Sequence, residues 1–96
     1  MRVFWTSDAE QDRAAVMDCI SQDNPLAASQ MDELFANAAG RLEDHPNLGK
    51  PGQISGTREL IPHESYRLVY EVQDDAVWIL ALVHTARRWP PIRQRP

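Results

Sequence analysis

The 96 residues include one cysteine, Cys19, so no internal disulfide can form and a zinc site with cysteine and histidine spacing is excluded. Cys19 falls in a helical stretch, which predicts a small buried apolar residue and not a nucleophile. No apolar run approaches the roughly 20 residues that cross a bilayer. Met1-Arg2-Val3-Phe4-Trp5 leads into acidic residues and not into the apolar core of a signal peptide, which predicts a protein that stays in the cytoplasm. Glycine-rich phosphate loops, a G-x-S-x-G elbow, an H-E-x-x-H helix and zinc signatures are all missing. No two histidines share a helical metal spacing and no carboxylate pair stands out, so neither a metal nor a cofactor is expected. A domain this small rarely encloses the deep pocket of a small-molecule enzyme.

What is present is ordinary globular material: 43% hydrophobic and 25% charged residues, enough for one domain over residues 1–96. The net charge of -4 conceals an asymmetry. Residues 1–48 hold three arginines against nine acids, whereas residues 49–96 hold six arginines and Lys50 against five acids. Arg87, Arg88, Arg93 and Arg95 fall in the last ten residues with no acid among them. Nine of the ten cations are therefore arginine, the residue suited to bidentate pairing with carboxylate or phosphate. A protein that cleaves RNA on the ribosome needs a broadly basic face, and the acidic first half opposes one.

Along the chain, Arg2 to Thr6 has the β-branched and aromatic content of a strand. Ser7 with Glu10 three residues on matches a capping box and predicts a helix over Asp8–Ser21. Asn24 and Pro25 then serve as cap and first residue of a second helix. Its ladder Ala27, Met31, Leu34, Phe35, Ala38 and Leu42 predicts one core-facing stripe, ended at His45-Pro46. Residues 46–56, with two prolines and three glycines, read as a loop. Three strands follow, over Thr57–Ile61, Tyr66–Val72 and Val77–Val83. The last is apolar at both alternating sets, which predicts an interior strand covered on both sides. The order β-α-α-β-β-β predicts an α+β fold, an antiparallel curved sheet with a helical hairpin on one face.

The arginines are the candidates for chemistry. Arg67 lies mid-strand between apolar neighbours, where a cation needs either an internal partner such as Glu59 or Glu71, or an external one. Arg58 poses the same question with Glu59 and Glu64. His84 ends the last strand, just before Arg87, Arg88 and Trp89. A histidine beside arginines suits 2′-hydroxyl attack on RNA, the imidazole moving protons and the guanidinium groups stabilising the phosphorane.

Three segments carry a family resemblance: Gly56-Thr57-Arg58-Glu59-Leu60, Tyr66-Arg67-Leu68-Val69-Tyr70, and His84-Thr85-Ala86-Arg87-Arg88-Trp89-Pro90. Behind a helical hairpin, this order resembles the RelE/ParE superfamily of toxins from type II toxin-antitoxin (plasmid stabilisation) modules. The first and last segments look closer to ParE-like members, which inhibit growth by acting on DNA gyrase and have no hydrolytic site. RelE-like members cleave mRNA in the ribosomal A site with several lysines and arginines and often a C-terminal tyrosine. Here Lys50 is the sole lysine and no tyrosine follows Tyr70. The resemblance thus implies a ParE-like inhibitor of gyrase or another replication target, with an mRNA endonuclease on the ribosome as the alternative. On that alternative, Arg67 matches the family's strand arginine, His84 is the acid/base, and Arg87 or Arg88 binds phosphate. Both readings imply a cognate antitoxin whose disordered segment folds on the toxin, giving a hetero-oligomer with no membrane role. The surface implied for antitoxin or target is Arg58, Arg67, Arg87, Arg88 and Trp89.

Overall fold

In a computed structural model, which describes residues 1–86, the chain forms β1 (Arg2–Trp5), α1 (Ser7–Ser21), α2 (Pro25–Arg41), β2 (Lys50–Pro51), β3 (Thr57–His63), β4 (Tyr66–Gln73) and β5 (Ala76–His84). Helix α1 begins one residue ahead of the expected capping box. Thr6, not Ser7, is the N-cap; its Oγ1 accepts from the Ala9 N–H at 3.2 Å. The same hydroxyl donates to the Ile79 carbonyl at 2.9 Å, and the Thr6 N–H reaches that carbonyl at 3.0 Å. Thr6 thus ends β1, starts α1 and fastens both to β5, a tertiary demand that overrides the local Ser7/Glu10 pattern. Helix α2 starts as its sequence implies, with Pro25 at the first turn and Asn24 Oδ1 accepting from the Ala27 N–H at 3.1 Å.

The sheet has five strands in the order β1-β5-β4-β3-β2. It is open and mixed: the expected, mostly antiparallel sheet with a helical hairpin is present, with a fifth strand and one parallel pair added to it. β1 pairs with β5 in parallel, Val3 opposite Val77, while the other neighbours run antiparallel. The helical hairpin returns the chain after β1, and three antiparallel passes then bring β5 back alongside it in the same direction. The fifth strand is Lys50–Pro51, inside the expected loop. Proline is tolerated there because β2 is an edge strand whose missing N–H has no ladder to complete. Pro62 likewise lies in β3 where the pairing with β4 shifts register, between Leu60 and His63.

β5 is interior, as its composition implies. A register shift moves its partner from Ala81 opposite Val69 to Ile79 opposite Tyr70, leaving Leu80 as the extra residue of a bulge. The bulge switches the inward set: Val77 and Ile79 enter the core before it, Leu82 after it. Asp12 of α1 supplies an acceptor there, its Oδ2 taking the Leu82 N–H at 3.1 Å.

Both helices pack on one sheet face around Ala9, Phe35, Ala38, Ala39, Leu42, Leu68, Tyr70, Val77, Ile79 and Leu82. A second bond ties the hairpin: Arg13 Nε meets Asp32 Oδ1 at 2.6 Å, with the guanidinium 4.7 Å above the Trp5 ring. Two expectations are corrected. Leu34 is 41% exposed, because the buried arc of α2 centres on Ala28, Phe35, Ala38, Ala39 and Leu42, and Leu34 sits about 100° round from Phe35. Cys19 is exposed, since the inward residues of α1 are Ala9, Val16 and Met17 and Cys19 lies off that stripe. No helix among the described residues is long and apolar enough to cross a membrane.

Phe35→Ala should cost about 3–5 kcal/mol, Leu82→Ala about 2–5 kcal/mol, and Leu34→Ala about 1 kcal/mol or less. Urea unfolding midpoints measure the ranking, and comparable losses at Leu34 and Phe35 would contradict this helix orientation.

Candidate functional site

The mid-strand arginine has an internal partner. Glu59 on β3 is cross-strand from Val69, which makes it the diagonal neighbour of Arg67 on β4. Arg67 Nη1 lies 3.0 Å from Glu59 Oε1, with only 16% of the arginine and 3% of the glutamate side chain exposed. Arg67 Nη2 donates to the Thr85 carbonyl at 3.3 Å, and Glu59 Oε2 accepts from the Gln53 N–H at 3.2 Å. The buried Arg67 Nε finds no partner among the described residues. Glu59 and Arg67 occupy the sheet face opposite the helices, since their strand neighbours Leu60, Leu68 and Tyr66 pack against the helical core. Sequence reasoning left the partner open between Glu59 and Glu71; the geometry selects Glu59.

Arg58 points the other way. It pairs across the strands with Tyr70, a core residue, and so alternates to the face opposite Arg67. Its Nη1 donates to the Gly49 carbonyl at 2.7 Å and to the Asn47 carbonyl at 3.4 Å. The carboxylates weighed for it, Glu59 and Glu64, are not its partners; neutral carbonyls are. That loop is held from below by Tyr70, whose hydroxyl donates to the Pro46 carbonyl at 2.9 Å and accepts the Gly49 N–H at 2.8 Å. Gly49 has no alternative there: a Cβ would come within 2.8 Å of the Glu59 carbonyl oxygen and 2.9 Å of the Tyr70 ring. Tyr70 as loop anchor was missed in the sequence, where it reads as one more core aromatic. Beside Arg58 lies a cavity of about 280 Å³ lined by Asn47, Pro51, Gly56, Thr57, Arg58 and Val72.

His84 is exposed at the end of β5, opposite Tyr66 of β4. Its ring meets Tyr66 edge-on with centroids 5.3 Å apart, and its Nδ1 accepts from the Ala86 N–H at 3.1 Å. His63 lies on the far side of Tyr66, its ring tilted with centroids 6.3 Å apart and its Nδ1 accepting from the Ser65 N–H at 3.0 Å. In both imidazoles the turn bond occupies Nδ1. His84 sides with Tyr66 on the helix face, whereas Arg67 projects from the opposite one. Arg67, Arg58 and His84 are therefore not gathered around one point. Arg87, Arg88 and Trp89 lie outside the described residues. Among the described residues no three histidine, cysteine, aspartate or glutamate side chains cluster as metal ligands.

Comparison with known proteins gives this arrangement its family. The family model for the ParE toxin of the type II toxin-antitoxin system parDE matches residues 3–89. The Caulobacter vibrioides protein called toxin RelE2 is 36% identical over 86 residues, 90% of this chain and 97% of that one. A candidate toxin of Sinorhizobium fredii, Y4kP, is 32% identical over 92 residues, 95% of each chain. Among solved structures, a chain of the chromosomal ParDE TA system from P. aeruginosa superposes with a TM-score of 0.79 at 22% identity, covering 88% of this chain and 95% of that one. The chain belongs to the ParE toxin family of type II toxin-antitoxin systems, within the RelE/ParE superfamily.

Burial makes the Glu59–Arg67 pair costly to break from one side only. Arg67→Met should destabilise the fold by about 3–5 kcal/mol by leaving the Glu59 carboxylate unpaired, and Arg67→Met/Glu59→Gln should recover at least half of that loss. Chemical denaturation of the single and double variants measures the coupling; additive losses would mean that the two groups do not depend on each other. Arg67→Ala is consequently not a silent probe of activity, because it removes the partner of a buried carboxylate.

Proposed function

We propose that this chain is the toxin of a type II pair, neutralised by its cognate antitoxin, and that it arrests growth through a protein contact with DNA gyrase or another replication target. Membership of the ParE toxin family supports the antitoxin partnership. The observation that carries the choice of target class is the state of Arg67. Its Nη1 is held 3.0 Å from a glutamate that is itself 3% exposed. A scissile phosphate seeking that guanidinium would have to displace Glu59 and then sit beside its negative charge, where like charges repel strongly. His84, the acid/base of the nuclease reading, lies on the other face of the sheet from Arg67. A general acid and the group that stabilises the phosphorane must converge on one phosphate, and these two do not.

Supercoiling and cleavage-complex assays with purified gyrase and toxin test this reading. Inhibition by micromolar toxin is expected, relieved by the antitoxin, and no effect would reject gyrase as the target. His84→Ala, an exposed substitution that removes only a turn bond and a ring contact, should leave growth arrest intact. Loss of both toxicity and mRNA cleavage in His84→Ala, with the melting temperature unchanged, would establish the nuclease instead.

A further inference from the structure

Arg58 of β3 and Arg67 of β4 differ in one respect: Arg67 is paired with Glu59, whereas Arg58 meets no carboxylate among the described residues. The salt bridges among the described residues are Arg13–Asp32 and Arg67–Glu59. Arg58 donates from Nη1 alone, to the carbonyls of Gly49 and Asn47. Those neutral acceptors fix the direction of the guanidinium, and among the described residues no carboxylate pairs with it and neither Nε nor Nη2 makes a hydrogen bond. The side chain is also preset. Gly49 is pinned by the Tyr70 hydroxyl and by its own lack of space, so the carbonyl that orients Arg58 cannot wander. A fork held in place loses little entropy when it meets a planar acceptor.

This preset cation lines the open cavity of about 280 Å³ together with apolar Pro51 and Val72. Two large exposed apolar side chains stand on the segments that bound it: Leu48, next to Asn47, is 45% exposed, and Ile54, two residues before Gly56, is 39% exposed. We propose that the cavity is a socket for one aspartate or glutamate of a partner peptide, the carboxylate meeting the unused edge of Arg58 while apolar neighbours of that acid cover Leu48 and Ile54. Resting on the antitoxin reading above, this names the contact through which an antitoxin segment grips the toxin. The site favours a lone acid in an apolar context over a polyanion. The lining offers one guanidinium beside apolar Pro51 and Val72, a match for a single carboxylate and not for a row of phosphates.

Asn47→Asp tests the socket in the full chain. Asn47 is exposed and bonds Arg58 through its backbone carbonyl, so the substitution keeps the loop while setting a competing carboxylate on the cavity wall. The probe is an acetylated, amidated leucine-glutamate-leucine tripeptide, with the glutamine version as control, titrated into isotope-labelled protein while the Arg58 Nε–Hε resonance is followed. Saturable movement of that resonance is expected with the glutamate peptide, weakened about tenfold in Asn47→Asp and about tenfold for the glutamine peptide. An unmoved Arg58 resonance, equal affinity in Asn47→Asp, or tighter seating of a short RNA oligonucleotide would overturn the proposal. The antitoxin encoded beside the toxin gene is assayed in parallel. Equal binding to wild type and Asn47→Asp would sink the socket and leave the antitoxin reading standing. Binding to neither, with the glutamate peptide still on Arg58, would sink the antitoxin reading and leave the socket standing.

Discussion

Glu59 and Arg67 remain a charged pair in a place that water scarcely reaches, and the sheet face opposite the helices is organised around that constraint. Removing two ions from water is expensive, so each must find its remaining hydrogen bonds within the protein. Glu59 draws in the Gln53 amide and so folds the segment after β2 back over β3. Arg67 reaches the Thr85 carbonyl and so fixes where the chain leaves β5. One ion pair thus sets both the approach to β3 and the departure from β5, two positions 32 residues apart in sequence (Gln53 and Thr85). It also holds the Arg67 guanidinium within the fold, with 16% of the side chain exposed.

The opposite face obeys a different rule. There the helical hairpin buries Phe35, Ala38 and Leu42 on Leu68, Tyr70, Ile79 and Leu82, and the polar groups present serve to hold that packing in register. Thr6 binds the Ile79 carbonyl and Asp12 the Leu82 amide, on either side of the Leu80 bulge. Tyr70 belongs to both systems: its ring lies in the core and its hydroxyl reaches out to the 46–49 segment. Through Gly49 that hydroxyl governs the orientation of Arg58. A core aromatic therefore positions a surface cation.

The elements that were legible in the sequence are those whose signals are local. Asn24-Pro25 marks a helix start because cap and first-turn chemistry need only neighbours, and the doubly apolar Val77–Val83 stretch marks an interior strand because a strand with neighbours on both edges has little use for polar side chains. What was not legible depends on contacts far along the chain. Thr6 outcompetes Ser7 as a cap because Ile79 is waiting for its hydroxyl, and Lys50–Pro51 becomes a strand because β3 offers it an edge. The parallel pairing of β1 with β5 is likewise a property of the closed path and of no one segment. The candidate site divides the same way. Alternation along Thr57-Arg58-Glu59 already separates Arg58 from Glu59, but which carboxylate meets Arg67 depends on strand register, and that Arg58 is answered by carbonyls depends on where Tyr70 anchors a loop.

The outer margin of the sheet beyond β3 carries proline twice, Pro51 in β2 and Pro62 in β3. Neither residue can donate to an incoming chain, and the register shift near Pro62 further spoils the spacing that a new ladder would need. That border is consequently a poor template for stacking one copy against another. This side of the sheet is thus closed to edge-to-edge polymerisation by the same prolines that end its ladder.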